Sequence, residues 1–333
     1  MDPREWNLGK LMELSGGYWQ TCALHAGVKL DVFTLMGTKA CTADDLAKQI
    51  GADERGLAML LNALAAMKLL AKNGGSYTAE PAALDFLSKD SDNYVGYIIL
   101  HHHNLMEGWS RLDQAVTTGA PVRTRASFDD HDKLEHFLMG MFNIAINLAP
   151  RIVPDIDLSG CRRILDVGGG PGTYAIQFCL HNPGLEGAVF DLPTTRPFAE
   201  KTIARFGVRD RVEFIDGNYL EDPLPGGFDA AWLSQILHSE DPEGCRTIIE
   251  KAVRALEPGG TIMVHEFIMD DAMDGPLHPA LFSLNMLIGT PGGRAYSNSQ
   301  IAAMLEAAGA TDVRRLELKG AHNSGVIRGT VIK

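Results

Sequence analysis

Asp166-Val-Gly-Gly-Gly-Pro-Gly172 is the stretch that decides the fold of this 333-residue chain. It follows a short apolar strand pattern, Arg163-Ile-Leu-Asp-Val167, and precedes a helical pattern, Thr173-Tyr-Ala-Ile-Gln-Phe-Cys-Leu180. Strand, glycine-rich turn and helix open a nucleotide-binding βαβ unit. Glycine is needed there because a Cβ would keep a ligand away from the backbone. The spacing is D-x-G-x-G-x-G on Asp166, Gly168, Gly170 and Gly172. A dinucleotide fingerprint, G-x-G-x-x-G, would place its last small residue on Thr173 and aim the helix at a pyrophosphate. An acid facing the turn suits a ligand with a cationic end and no phosphates. S-adenosylmethionine (SAM), with its sulfonium and amino groups, is such a ligand.

Composition narrows the class. Hydrophobic residues make up 45% and charged residues 22%, ordinary for a globular protein, and the length allows two domains. The net charge of −12 argues against a nucleic-acid partner, and no Lys/Arg cluster offers a basic face. The N-terminus lacks the basic and apolar regions of a signal peptide, so a cytoplasmic location is expected. No apolar run approaches the length of a membrane span. The five cysteines are odd in number, form no C-x-x-C pair and read as reduced thiols.

Three regions are expected. Residues 1–100 read as a helical, winged-helix-like domain. Thr42-Ala-Asp-Asp45 resembles a capping box for a helix through Ile50, and Asp53 caps a second helix over 54–70. Lys72-Asn-Gly-Gly-Ser-Tyr-Thr78 reads as a hairpin. The second helix is too apolar for a DNA groove, so the module reads as a dimerisation domain for a homodimer. Residues 101–155 form a helical bridge. Its His101-His-His103 cannot share one metal ion, because adjacent helical residues point in different directions. A helix runs from Asp130 towards Pro150. Residues 156–333 alternate strands (164–167, 186–190, 212–215, 230–234, 261–267) with helices (198–206, 242–256), and Ala255-Leu-Glu-Pro-Gly-Gly260 stops a helix and turns. Such alternation predicts a doubly wound α/β sheet with its ligand at the carboxyl ends of the strands. The tail, 312–319 and 324–333, pairs as an edge hairpin.

These residues resemble the SAM-dependent small-molecule O-methyltransferases of the caffeate and acetylserotonin O-methyltransferase type. The motifs are Leu165-Asp-Val-Gly-Gly-Gly-Pro-Gly172, Phe190-Asp-Leu-Pro193, Asp210-Arg-Val-Glu213, Ile236-Leu-His238, Ala255-Leu-Glu-Pro-Gly-Gly260 and Gly292-Gly293. They stand in order between Leu165 and Gly293, and the resemblance covers nearly the whole chain, including the helical N-terminal domain. The resemblance implies a Rossmann-like class I methyltransferase domain behind an N-terminal dimerisation domain. SAM is the implied cofactor, S-adenosylhomocysteine its product, and no metal is required.

The resemblance also implies site roles. Gly168, Gly170 and Gly172 let the backbone approach the methionine part of SAM, with Asp166 near its polar end. Asp191 ends the second strand about 20 residues on, where a carboxylate accepts from ribose hydroxyls, and Leu192 stands beside it. Asn218 replaces the family Asp at the adenosine, with Tyr219 along the adenine. Ser234 holds a cofactor position that is often Lys. His238 falls where the family places its general base, and neutral His can take a phenol proton near neutral pH. Glu266 matches the carboxylate that orients it. Met141, Phe142, Asn285, Met286 and Trp109 are candidates for the acceptor pocket. The chain departs from the plant pattern at Ser239-Glu240, which replaces Asp-Trp, and at Ala295, which replaces a second carboxylate. Those departures leave open an S-, N- or C-methyl acceptor, or a relative that binds SAM for other chemistry. A winged-helix DNA regulator is the remaining reading.

Overall fold

The computed structural model describes residues 6–123, 130–318 and 324–332. Residues 1–5, and the ends of the expected tail hairpin at Lys319 and Lys333, lie outside them. The chain divides into two compact units, Met1–Asn104 and Leu105–Lys333.

In the first unit the local signals set the boundaries. Thr42 caps the helix Ala43–Ile50 in a full capping box with Asp45, and Asp53 accepts from the Gly56 N–H (2.8 Å) to start Glu54–Ala66. That second helix ends four residues earlier than the sequence suggests. Lys68 takes a positive φ of 65° and turns the chain, so Leu70 enters a strand instead. Strands β1 (Cys41–Thr42), β2 (Leu70–Asn73) and β3 (Ser76–Ala79) form an antiparallel sheet in the order β1-β3-β2. Helices and sheet close over Val32, Phe33, Leu46, Leu61 and Leu64. The helix Leu8–Gly16 buries nothing, and Leu8, Met12, Leu14, Tyr18 and Trp19 stand exposed. In the His101–103 run, His103 Nε2 lies 3.0 Å from the Lys29 ammonium, a partner opposite in character to a metal ion's ligand set. Among the described residues no group of three His, Cys, Asp or Glu side chains could hold a metal.

The second unit carries a seven-stranded sheet. Its strands are β4 (Arg163–Val167), β5 (Glu186–Asp191), β6 (Val212–Asp216), β7 (Phe228–Ser234), β8 (Leu256–Phe267), β9 (Ala310–Arg315) and β10 (Ser324–Val331), in the order β6-β5-β4-β7-β8-β10-β9. β10 pairs antiparallel with both β8 and the edge strand β9. The Ala255–Gly260 segment is less a turn than an interruption within pairing. β8 pairs with β7 at Leu256, loses register, and resumes at Thr261. Side chains such as Trp232, Phe178 and Phe190 fill the layers against the flanking helices. Because β5 and β6 build outward on one side of β4 and β7 on the other, a crevice opens between the carboxyl ends of β4 and β7.

The helix His131–Ile152 requires a correction to the membrane expectation. Extended through Asp155, it has the length and composition to cross a membrane, with a mean hydropathy of 1.3 over its most apolar window. Its apolar face is used for packing: Leu138, Phe142, Ala149 and Ile152 are buried, and the last two join the cluster around the helix Thr173–His181. Pro150 sits inside its last turn.

Candidate active site

The glycine loop leaves the end of β4. Gly168 has φ +65°, and a Cβ there would come within 2.7 Å of Ile236 and 3.3 Å of the Tyr219 ring. Gly170 has φ +56° and faces open space, with nothing within 4 Å of where a Cβ would be. Asp166 lies beneath this loop and is 1% exposed. Its Oδ2 accepts from the Ala175 N–H (3.2 Å), while its buried Oδ1 has no protein partner. Burial is the main cause that pushes this carboxyl up to about 7, with the nearby Asp191 charge adding to it. An unsatisfied buried carboxylate oxygen under an open glycine turn fits a cationic ligand and would be stabilised by one.

Asp191 ends β5 and ties the neighbouring turns together. Its Oδ2 accepts from the Gly170 N–H (2.8 Å), and its Oδ1 accepts from the Leu192 N–H (2.7 Å) and the Thr195 hydroxyl (3.2 Å). Burial raises its carboxyl above the ordinary range. The helix that follows is capped by Thr195, so Asp191 is not itself the N-cap. Beyond β6, Asn218 Oδ1 accepts from the Leu220 N–H (3.0 Å), which leaves the side-chain NH2 as its donor. Tyr219 lies along Gly168, and its hydroxyl donates to Glu240 Oε1 at 3.3 Å. Sequence reasoning missed Lys251. Its ammonium donates to the carbonyls of Tyr219 (3.0 Å), Leu220 (2.7 Å) and Asp222 (2.8 Å) and so fixes this loop from a helix 30 residues away. No local pattern could have announced it.

Ser234, the last residue of β7, turns its hydroxyl to His265 Nδ1 (2.9 Å). His265 Nε2 meets the Ser324 hydroxyl (3.0 Å), and the ring stacks on Trp232. Burial lowers the His265 pKa to about 4, so this imidazole stays neutral.

The chain then makes a tight exit. Gln235 takes φ +58°, and Leu237–Ser239 form a 3-10 turn that presents His238. Glu266, on β8 and 1% exposed, serves both ring and backbone. Its Oε2 lies 2.7 Å from His238 Nδ1, and its Oε1 accepts from the N–H groups of Leu237 (2.9 Å) and His238 (3.4 Å). A carboxylate in that place holds the ring proton on Nδ1 and leaves Nε2 with its lone pair. The Phe282 ring packs edge-to-face on His238 at 4.7 Å, backed by Phe267. Gly293 lets the loop close, since a Cβ would reach 2.5 Å from the His238 carbonyl.

The acceptor candidates divide. Trp109 Nε1 donates to Asn285 Oδ1 at 3.1 Å, which brings those two together. Met286, the next residue on the helix Leu277–Gly289, is buried. Phe142 instead packs against Phe206, with Arg205 over its ring, and belongs to the core; Met141 beside it is half-buried. A cavity of about 460 Å³ is lined by Arg123, Ser239, Glu240, Gly289 and Thr290, none of which was singled out as a pocket residue from sequence.

Residues 109–311 match the model of the O-methyltransferase domain, and residues 12–89 match the O-methyltransferase dimerisation domain. The chain belongs to the SAM-dependent O-methyltransferases. It is 34% identical over 325 residues to the 3-hydroxy-5-methyl-1-naphthoate 3-O-methyltransferase of Streptomyces sahachiroi, covering 96% of this chain and 94% of that one. It is 28% identical to the acetylserotonin O-methyltransferase of Bos taurus, covering 96% of each. The solved structure of PigF with S-adenosylhomocysteine, a methyl transferase known from Serratia, matches with TM-score 0.89 at 28% identity, over 98% of this chain and 100% of that one. This O-methyltransferase therefore uses SAM, and the orphaned Asp166 oxygen and the open Gly170 turn fit it.

Proposed function

We propose that this O-methyltransferase acts on a hydroxyl of a small aromatic acceptor, with His238 as general base and Glu266 as the group that orients it. The observation that carries the reading is the 2.7 Å contact between His238 Nδ1 and a Glu266 carboxylate already anchored by two backbone N–H groups. When bound, SAM supplies a methyl group activated by its sulfonium, so the protein's task is to position and deprotonate the attacking oxygen. Gly168, Gly170 and Gly172 leave room for the cofactor, and Asp166 faces its cationic end. Asp191 and Leu192 hold the ribose, and Asn218 and Tyr219 border the adenine. Ser234 contributes only to the wall, since its hydroxyl is engaged by His265. His238 Nε2 takes the hydroxyl proton, and Glu266 stabilises the imidazolium that results. Phe282, Phe267 and Trp109 supply flat apolar walls that suit an aromatic ring. The naphthoate substrate named for the Streptomyces relative supports the same class.

Incubation with SAM and a panel of naphthols, thiols and aliphatic alcohols tests this. S-adenosylhomocysteine should form fastest with naphthols, and its formation with thiols alone would overturn the reading.

The working form is a homodimer. The match to the dimerisation domain and the apolar residues left bare on the helix Leu8–Gly16 support it. Sedimentation at micromolar concentration should give the mass of two chains; a single-chain mass would remove the dimer.

A further inference from the structure

The structure assigns a positioning role to Tyr296: its hydroxyl, by holding the main-chain carbonyl of Glu240, fixes the turn that carries His238 against Glu266. The inference rests on the reading of His238 as the base. A base works only where its ring meets the acceptor proton. His238 stands on a 3-10 turn of three residues, Leu237–Ser239, and so short a turn has few hydrogen bonds of its own. The Ser239 N–H donates to Ile236 O (3.2 Å) and the Glu240 N–H to Leu237 O (3.1 Å). Glu266 takes the N–H groups at the entry, on Leu237 and His238. Those contacts leave the carbonyl at the exit, on Glu240, to a partner outside the turn.

That partner is Tyr296. Its hydroxyl donates to Glu240 O at 2.6 Å, a closer contact than the 3.3 Å between the Glu240 carboxylate and the Tyr219 hydroxyl. Tyr296 is 3% exposed, and burial holds its phenol far above the ordinary range, so it stays a donor. The point from which it reaches is itself fixed. Tyr296 O accepts from the Met269 N–H (3.0 Å), just beyond the end of β8 and three residues after Glu266. Ser297, next in the chain, caps the helix Asn298–Ala307 in a capping box with Gln300. The exit of the turn is thereby tied to the same strand end that carries Glu266. Entry and exit are both referred to β8, so the 2.7 Å contact between His238 and Glu266 is held from two sides. Cys245 adds a weaker contact. Its Sγ donates to Leu237 O at 3.2 Å, and burial pushes the thiol up to about 12, which keeps its proton in place. Releasing the exit lets the ring swing away from Glu266 and from the acceptor. A misplacement of about 1 Å in a reacting group can cost about 100-fold in rate. The Asp191 contacts to the cofactor loop do not pass through Tyr296, so cofactor binding should survive its loss.

Kinetics on a series of phenols of graded acidity provide the test, because only a phenol still protonated at the assay pH needs the base. Tyr296→Phe should lower kcat on the weakly acidic phenols by about 10–100-fold, with KM for SAM unchanged. On a phenol already ionised it should match wild type. In a His238→Ala background the same change should cost nothing further, since the two residues act as one unit. A merely structural Tyr296 would lose the same factor on every phenol and would add its loss to that of His238→Ala. Either result, or no loss at all, would overturn the inference. Cys245→Ala, which removes the donor at Leu237 O, should show the same dependence on acidity with a smaller loss. This second variant decides the matter if Tyr296→Phe does not fold, and an equal loss on every phenol, or none, then counts against the inference. The His238→Ala arm separates the two readings. Full turnover there removes the base and the role of Tyr296 with it, whereas lost turnover beside an unaffected Tyr296→Phe removes only the role of Tyr296.

Discussion

Replacing His238 with Ala is expected to cut turnover by about 10²–10⁴-fold, the usual contribution of a positioned base, and to leave SAM binding nearly unchanged. The separation follows from the contacts. The cofactor loop is held by the Asp191 contacts to Gly170 and Leu192 and by the Lys251 contacts to the Tyr219 loop, none of which passes through the imidazole. Glu266 keeps its Leu237 and His238 backbone donors after the ring is gone, so the turn that presents residue 238 stays anchored. The lost ring is 8% exposed and packs on Phe282, so a modest loss of stability should accompany the kinetic effect. Calorimetric titration with SAM and steady-state turnover on one naphthol check both halves. Turnover within a few-fold of wild type would remove His238 as the base, and a large loss of SAM affinity would place it in the cofactor site instead.

Sequence made the frame of this site legible because its signals are local. A strand, a turn with three positive-φ glycines and a helix occupy consecutive residues, and the helix caps at Thr42 and Asp53 are set within three positions of themselves. The parallel strands could be located because each is a short apolar run bounded by a helix or by turn residues. Pairwise arrangements across the sheet were not legible. The burial of Asp166 beneath its own loop, the capture of the Ser234 hydroxyl by His265, and the reach of Lys251 to three carbonyls all depend on residues brought together from 9 to 32 positions apart. Phe142 shows the opposite failure. An aromatic beside a Met on an amphipathic helix suits a pocket and a core equally, and only its contact with Phe206 shows that it faces the core. The end of the helix Glu54–Ala66 was missed for a similar reason. Its apolar pattern continues through Leu69 and Leu70, but those side chains serve the following strand once Lys68 turns the backbone.

Glu266→Gln should abolish activity almost as fully as loss of the base while the fold survives, and that contrast is the sharper test of the mechanism. Gln has the shape of Glu, but its two polar ends differ. In the wild type Oε1 accepts from two backbone N–H groups, at Leu237 and His238, and Oε2 faces His238 Nδ1. Two donors compel the Gln oxygen to take the Oε1 place, which leaves the amide NH2 against Nδ1. Nδ1 must then accept, so the ring proton moves to Nε2. An imidazole with N–H at that atom cannot take a proton from the acceptor. Turnover should fall by about 10²–10⁴-fold, with a thermal midpoint close to wild type. Glu266→Ala should behave differently, because it strands two buried N–H groups at about 1–3 kcal/mol each and should lower the midpoint visibly. The decisive measurement is rescue. A phenol acidic enough to be ionised at the assay pH needs no base, so both His238→Ala and Glu266→Gln should methylate it at rates near wild type. If Glu266→Gln stays inactive on an ionised phenol, the carboxylate acts on something other than the protonation state of His238.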